Sequence, residues 1–219
     1  MDIFPVINCR EKSCFEDRLE IAENLPFLGE KIVHIDVSDG IFASSKMWVT
    51  SEIFKTEFKA NADIKFAVHL MLVNPLDEIK NWIEAGAKEI IVHVESDIDL
   101  KQAVDICLEN DVKITLAANP DTPISSLIAE ENLFSRFLLL AVNPGPAGQA
   151  MSSEVIPRIE ELRAALPSAT IEVDGGVTPK TVMLIEKAGA DIAVSGTYIF
   201  VDVDPESAYS RLLNSARRD

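Results

Sequence analysis

The chain has 219 residues, 47% of them hydrophobic, and a formal net charge of −16 at pH 7. That length and apolar content suit one sizeable core better than two small ones, so a single domain over residues 1–219 is expected. The acidity argues against a nucleic-acid binder, which would carry a basic patch, and against an anionic membrane surface.

Short apolar or β-branched runs alternate with segments of helical spacing. The first run is IFPVIN (3–8), and helical spacing follows over 15–25. KIVHIDV (31–37) and IKFAVHL (64–70) read as the second and third strands. A helix over 74–86 is predicted next, with Asn74 before Pro75 at the first helical position and Gly86 as its stop. EIIVHVE (89–95) precedes a helix over 99–110, and VKITLAA (112–118) and FLLLAVN (137–143) follow as strands. A helix over 152–166 leads to TIEVD (170–174). The next helix, over 178–189, has Thr178 before Pro179 and ends at Gly189. DIAVSG (191–196) is the eighth run, and SAYSRLLNSARR closes the chain with helical spacing.

Strand and helix in regular alternation imply a parallel sheet. Eight such units in this length predict a single (β/α)8 TIM barrel. The competing open, doubly wound sheet would need an edge strand and, for a nucleotide, a glycine-rich first turn; the first turn here, NCREKS, has no glycine. The N-terminus lacks a basic residue followed by a long apolar stretch, so no signal peptide is expected, and no apolar run reaches the length of a bilayer span. Cys9, Cys14 and Cys107 show neither zinc-ligand spacing nor a disulfide framework, which predicts reduced thiols and a cytoplasmic location.

Barrel chemistry sits where the strands end. All three histidines fall within predicted strands: His34, His69 and His93. Side chains two apart on a strand share a face, so His34 and Asp36 project together. Asp174 ends the seventh strand. One histidine on an apolar strand is more often a satisfied core residue. Two imidazoles and two carboxylates on one face instead make a mixed N/O site for a divalent metal: His34, Asp36, His69 and Asp174. Without a cation the two carboxylates would repel and one would hold a proton. His93, with Glu95 two residues on, is expected to pair locally or to support the site from behind. Glycines cluster after the last three strands, in AVNPGPAGQ, DGGVTP and SGTYIF. Their N–H groups could cradle an anion without basic side chains.

With these motifs in view the chain resembles the ribulose-phosphate 3-epimerase family. HIDVSDGIF, VHLMLVNP, IIVHVE, AVNPGPAGQ, EVDGGV and SGTYIF stand in the family's order, from the second strand to the last loop. The resemblance implies a metal-dependent barrel that inverts carbon 3 between ribulose 5-phosphate and xylulose 5-phosphate. It implies one divalent ion (Zn, Fe, Mn or Co) on His34, Asp36, His69 and Asp174, with Asp36 and Asp174 as the acid/base pair. His69 would also border the substrate. The phosphate would lie on the N–H groups of Gly145, Ala147, Gly148, Gly175, Gly176, Gly196 and Thr197. The partner is then a small phosphorylated sugar, not nucleic acid or membrane, and the family's habit implies a homo-oligomer.

The chain departs from the family in three places. Where the family's first strand reads Pro-Ser-Ile-Leu, this one reads Pro5-Val6-Ile7-Asn8, and Asn8 is expected to replace the serine's contact with substrate. Ser38 replaces a methionine, which predicts a less apolar pocket. Gly145-Pro146-Ala147-Gly148 replaces Gly-Phe-Gly-Gly, and Pro146 removes one N–H and stiffens the loop. Met47 and Trp48 would either form an exposed apolar contact or pack over the barrel end. Related decarboxylases and synthases carry Asp-x-Lys-x-x-Asp; here Asp63 and Lys65 match, but position 68 is valine and the pair begins its strand. Two other readings stand beside the pentulose one: the same chemistry on a ketohexose 6-phosphate such as allulose 6-phosphate, and a non-catalytic sugar-phosphate-binding barrel.

Overall fold

The computed structural model describes residues 1–58 and 63–216. The first half runs β1 (Asp2–Ile7), α1 (Lys12–Glu23), β2 (Lys31–Ser38), α2 (Ser51–Glu57), β3 (Ile64–Met71), α3 (Leu76–Glu84), β4 (Glu89–His93) and α4 (Leu100–Glu109). The second half runs β5 (Lys113–Ala118), α5 (Ser125–Ile128), β6 (Arg136–Leu140), α6 (Val155–Ala165), β7 (Thr170–Asp174), α7 (Pro179–Ala188), β8 (Ile192–Ser195), α8 (Thr197–Phe200) and α9 (Pro205–Ser215). The eight strands close in chain order into one parallel barrel, β1 pairing with both β2 and β8. The (β/α)8 expectation is met, and all eight strands fall where the apolar runs stand.

The boundaries differ in ways that matter for the site. β1 ends at Ile7, β4 at His93 and β6 at Leu140, so Asn8, Glu95 and Asn143 sit in the loops beyond. α3 begins at Leu76, with Pro75 as its N-cap residue rather than its first helical one. α7 begins as expected: Thr178 and Thr181 form a reciprocal capping box in front of Pro179. Gly189 ends that helix at φ 111°, a left-handed conformation that glycine adopts without a Cβ penalty.

Alternation along the strands divides the molecule into two apolar regions. Residues such as Ile7, Val33, Val68, Ile90, Phe137 and Val173 point outward and form the main core with the helices. Ala67, Ile91, Ala117, Leu138 and Leu140 make one inner cluster, and Phe4, Val6, Ile192 and Val194 make another. The same parity turns Glu89, Thr115 and Arg136 inward near the strand starts. Arg136 donates to Glu89 through Nε (2.9 Å) and Nη2 (3.2 Å), and Thr115 donates to Glu89 at 2.5 Å. This plug lies at the N-terminal end of the barrel interior. Lys65 lies at that end too and pairs with Glu30, away from the expected chemistry.

The cysteine expectation is corrected. Cys9 and Cys14 form a disulfide, and Cys107 is free and buried. The chain leaves β1 at Ile7 and enters α1 at Lys12, and this tight turn brings the two Cα atoms to 5.8 Å, within disulfide reach. A count of cysteines carries no trace of that turn. The choice left open for Met47 and Trp48 is also resolved. Met47 is buried, the Trp48 N–H donates to the Cys9 carbonyl at 2.9 Å, and the indole packs on Phe15 and Phe58. Among the described residues no helix is long and apolar enough to cross a membrane.

Candidate active site

Register brings the polar residues together. Asp36 of β2 lies beside His69 of β3, and Asp174 of β7 beside Leu140 and Val194. His34, Asp36, His69 and Asp174 are all buried. Each offers one ligand atom such that all four atoms lie within 4.8 Å of one another. His34 sits mid-strand, deeper than expected, with Asp36 above it.

Each imidazole faces the centre with Nδ1. That of His69 is 3.2 Å from Asp36 Oδ1 and 3.8 Å from Asp174 Oδ2; that of His34 is 3.7 Å from Asp36 Oδ1. Each turns Nε2 toward a supporting partner. His69 Nε2 meets His93 Nε2 at 2.8 Å, and His93 Nδ1 meets Glu95 Oε2 at 2.9 Å. Glu95 in turn accepts from the Asn119 N–H and the Thr122 hydroxyl. His93 therefore supports the centre from behind and pairs with Glu95 at once. His34 Nε2 stands 3.3 Å from Glu172 Oε1, but the pair is not aligned as a hydrogen bond, and neither His34 nitrogen has a hydrogen-bond partner among the described residues.

The charges explain why a cation fits. Burial, and then the nearby Asp36 charge, push the Asp174 carboxyl up to about 8. Burial opposes the charge on Asp36, yet the His34 and His69 imidazoles hold it well below the usual carboxylate range. Burial lowers His69 to about 4, against the pull of Asp36. His34 is also opposed by burial, but Asp36 and Glu172 beside it hold it well above its ordinary value. Without a metal, His34 and Asp174 are both biased toward their protonated forms. A divalent ion would replace those protons and occupy the orphaned Nδ1 of His34. The donor set of two nitrogens and two carboxylates suits such an ion.

Asp36 and Asp174 border a cavity of about 490 Å³ over the C-terminal end of the barrel. Gly145, Ala147, Gly148, Gly175, Gly176, Gly196 and Thr197 line it too, so the three glycine loops meet the carboxylates in one space. Among the described residues, the loop N–H groups of Gly145, Ala147, Gly148 and Gly176 donate to no protein acceptor. Glycine is required at position 176, where φ is 65° and a Cβ would come within 2.1 Å of the Met151 nitrogen. Pro146 is stabilised from within its own loop: the Gln149 side chain donates to the carbonyls of Asn143 and Pro146 at 2.8 and 2.9 Å.

Asn8 borders the cavity, and its Nδ2 donates to Asp36 Oδ2 at 2.7 Å. Ser38 does not line it. Its hydroxyl oxygen accepts from the Gly40 N–H at 3.3 Å, so the smaller residue caps a turn instead of lining the pocket. Two further residues belong to the site, and only one of them could be found by a reading of the sequence alone. Glu172 is within reach of such a reading, because it lies two before Asp174 and so shares its face. Arg18 lines the cavity from α1, and its placement depends on how that helix packs.

The model of the ribulose-phosphate 3-epimerase family matches residues 12–200. A ribulose-phosphate 3-epimerase of Aquifex aeolicus is 34% identical over 190 residues, covering 84% of each chain. One of Chlamydia muridarum is 32% identical over 204 residues, covering 90% of this chain and 87% of the relative. Among solved structures, a 3-hexulose-6-phosphate synthase superposes with a TM-score of 0.74 over 98% of this chain and 99% of that one; at 18% identity it speaks for the fold alone. With a carboxylate–imidazole centre under three glycine loops and a family match across most of its length, the chain belongs to the ribulose-phosphate 3-epimerase family of isomerases.

Proposed function

We propose that the protein inverts carbon 3 of a ketose phosphate, D-ribulose 5-phosphate to D-xylulose 5-phosphate, by proton transfer between two carboxylates. One observation carries this reading: Asp36 and Asp174 stand on strands separated by β1 and β8, and both face one cavity. Inversion needs one group to remove a proton and another to return one to the opposite face. Asp36 is the base for one direction and Asp174 the acid that returns a proton on the opposite face, with the roles exchanged in the reverse direction. Asn8 fixes the orientation of Asp36 and meets the substrate's hydroxyls; His69, fully buried and outside the cavity lining, acts on the substrate through Asp36.

His34, Asp36, His69 and Asp174 would hold one divalent ion, Zn, Fe, Mn or Co. When bound, that ion supplies positive charge against the enediolate. The phosphate rests on the N–H groups of Gly145, Ala147, Gly148, Gly175, Gly176, Gly196 and Thr197. The barrel acts as one domain over residues 1–219, as a homo-oligomer in the cytoplasm; the Cys9–Cys14 disulfide is the feature that weighs against a fully reducing location.

The test is substrate turnover by the purified, metal-loaded protein. D-ribulose 5-phosphate and allulose 6-phosphate are offered in parallel, and epimerised product is read by NMR. Faster conversion of the pentulose supports the reading. Preference for the hexulose moves the assignment to a ketohexose 6-phosphate 3-epimerase, and no conversion of either leaves a sugar-phosphate-binding barrel.

A further inference from the structure

Arg18 is the one cationic side chain that lines the cavity among the described residues. It projects from α1 and is half-buried, with no carboxylate within ion-pairing distance among the described residues, in a chain of net charge −16. Two neutral contacts hold it. Nη1 donates to the Asn8 carbonyl at 3.0 Å, and the guanidinium lies over the Phe200 ring at 5.3 Å from its centroid. Phe200 ends α8, the helix that follows Gly196 and opens with Thr197. The guanidinium is thereby fixed at the seam between the end of β1 and the last glycine loop. Its remaining N–H groups are not sealed in the protein, and burial works against its charge without an anion to offset it.

Two of this chain's departures from the family, Asn8 and Pro146, line the same cavity as Arg18. Asn8, whose carbonyl receives Arg18, also donates from its side chain to Asp36. Cys9, the next residue, is tied to Cys14 one helical turn before Arg18, which anchors α1 to the end of β1. Across the cavity, Pro146 leaves the phosphate loop one N–H short. An arginine that holds the Asn8 carbonyl with one arm still has donors in a planar fork, the geometry that suits a phosphate.

We propose that Arg18 binds the phosphate of the substrate, facing the glycine loops, and that it sets this chain's preference for phosphorylated over unphosphorylated sugar. The inference rests on the sugar-phosphate reading of the site. It assigns to one side chain a part of the binding that backbone groups alone were expected to supply.

The test compares wild type, R18M and R18K, all metal-loaded, for kcat and KM on D-ribulose 5-phosphate and on unphosphorylated D-ribulose. Loss of a charge-assisted fork predicts that R18M raises KM for the phosphorylated sugar about 10–100-fold, with a much smaller change in kcat. The ratio of kcat/KM between the two sugars collapses with it. R18K falls between, because an ammonium does not hold the Asn8 carbonyl and the phosphate together. Equal losses on both sugars, or a wild-type ratio in R18M, would overturn the assignment; if R18M does not fold, a wild-type KM in R18K does the same. Calorimetric titration with inorganic phosphate separates this inference from the reading beneath it. A wild type that turns over neither sugar but binds phosphate more tightly than R18K retains the Arg18 site and loses the epimerase. Equal phosphate affinity in the two loses the Arg18 site.

Discussion

The barrel interior carries buried charge at both ends, and the two ends are built on opposite principles. At the N-terminal end Glu89 is buried, but Arg136 and Thr115 meet its oxygens. At the C-terminal end two carboxylates share a space with two imidazoles, and both His34 nitrogens lack a hydrogen-bond partner among the described residues. A satisfied ion pair closes the barrel and does nothing further. An unsatisfied cluster keeps donor atoms available to a ligand. Buried polar groups are therefore informative less by their presence than by what they still lack.

Breaking one end should cost activity, and breaking the other should cost stability. At the upper end, Asp174→Asn removes the acid/base group proposed above, and turnover is expected to fall by about 10²–10⁴-fold with the melting temperature of the metal-free protein kept or raised. At the lower end, Arg136→Met leaves Glu89 buried and unpaired. About 3 kcal/mol of stability should be lost in urea unfolding, at the low end of the usual range because the Arg136 side chain keeps 19% exposure. Its metal content and its turnover per folded molecule should stay at wild-type level. A stable Arg136→Met protein, or one that loses its metal, would erase the contrast.

A finer test addresses the supporting groups. His93→Phe removes the partner of His69 Nε2 and should weaken metal binding about 10–100-fold, read by competition with a chelator. Unchanged affinity would reduce the His69–His93–Glu95 chain to packing.

The smallest effect is a dependence on pH. In the metal-free protein Asp174 and His34 are both held above their ordinary values, so each contributes stability at low pH that is lost as pH rises through its folded value. His69 is lowered to about 4 and acts the other way, but only below its ordinary 6.5. Between pH 6.5 and 8 the metal-free protein should therefore lose stability as pH rises. Added metal should raise the melting temperature more at pH 8 than at pH 6.5, because binding displaces protons. A larger metal-induced shift at pH 6.5 would contradict this bias toward the protonated forms.

What is legible in the sequence follows the period of the strands. Every strand announces itself by a short β-branched or apolar run, and alternation alone sets His34 and Asp36 on one face. The same rule reaches Glu172 from Asp174. Helices α2, α5 and α8, of 7, 4 and 4 residues, are too short to show a helical period. Arg18 is hidden for another reason: within α1 it is one charged residue among many, and only the docking of α1 on β1 turns it to the cavity. The Cys9–Cys14 bond likewise depends on a loop geometry that spacing does not encode. Ser38 shows the reverse error, a substitution assigned to the pocket whose hydroxyl serves its own turn.

The central claim is that Asp36 and Asp174 carry the proton to and from carbon 3. The most direct measurement follows deuterium from solvent into C3 of D-ribulose 5-phosphate, in wild type and in Asp174→Asn, both metal-loaded and shown to be folded. Wild type should exchange C3 as it forms the epimer, and Asp174→Asn should form no epimer on that timescale. Epimerisation with exchange at the wild-type rate in Asp174→Asn would contradict the two-carboxylate account.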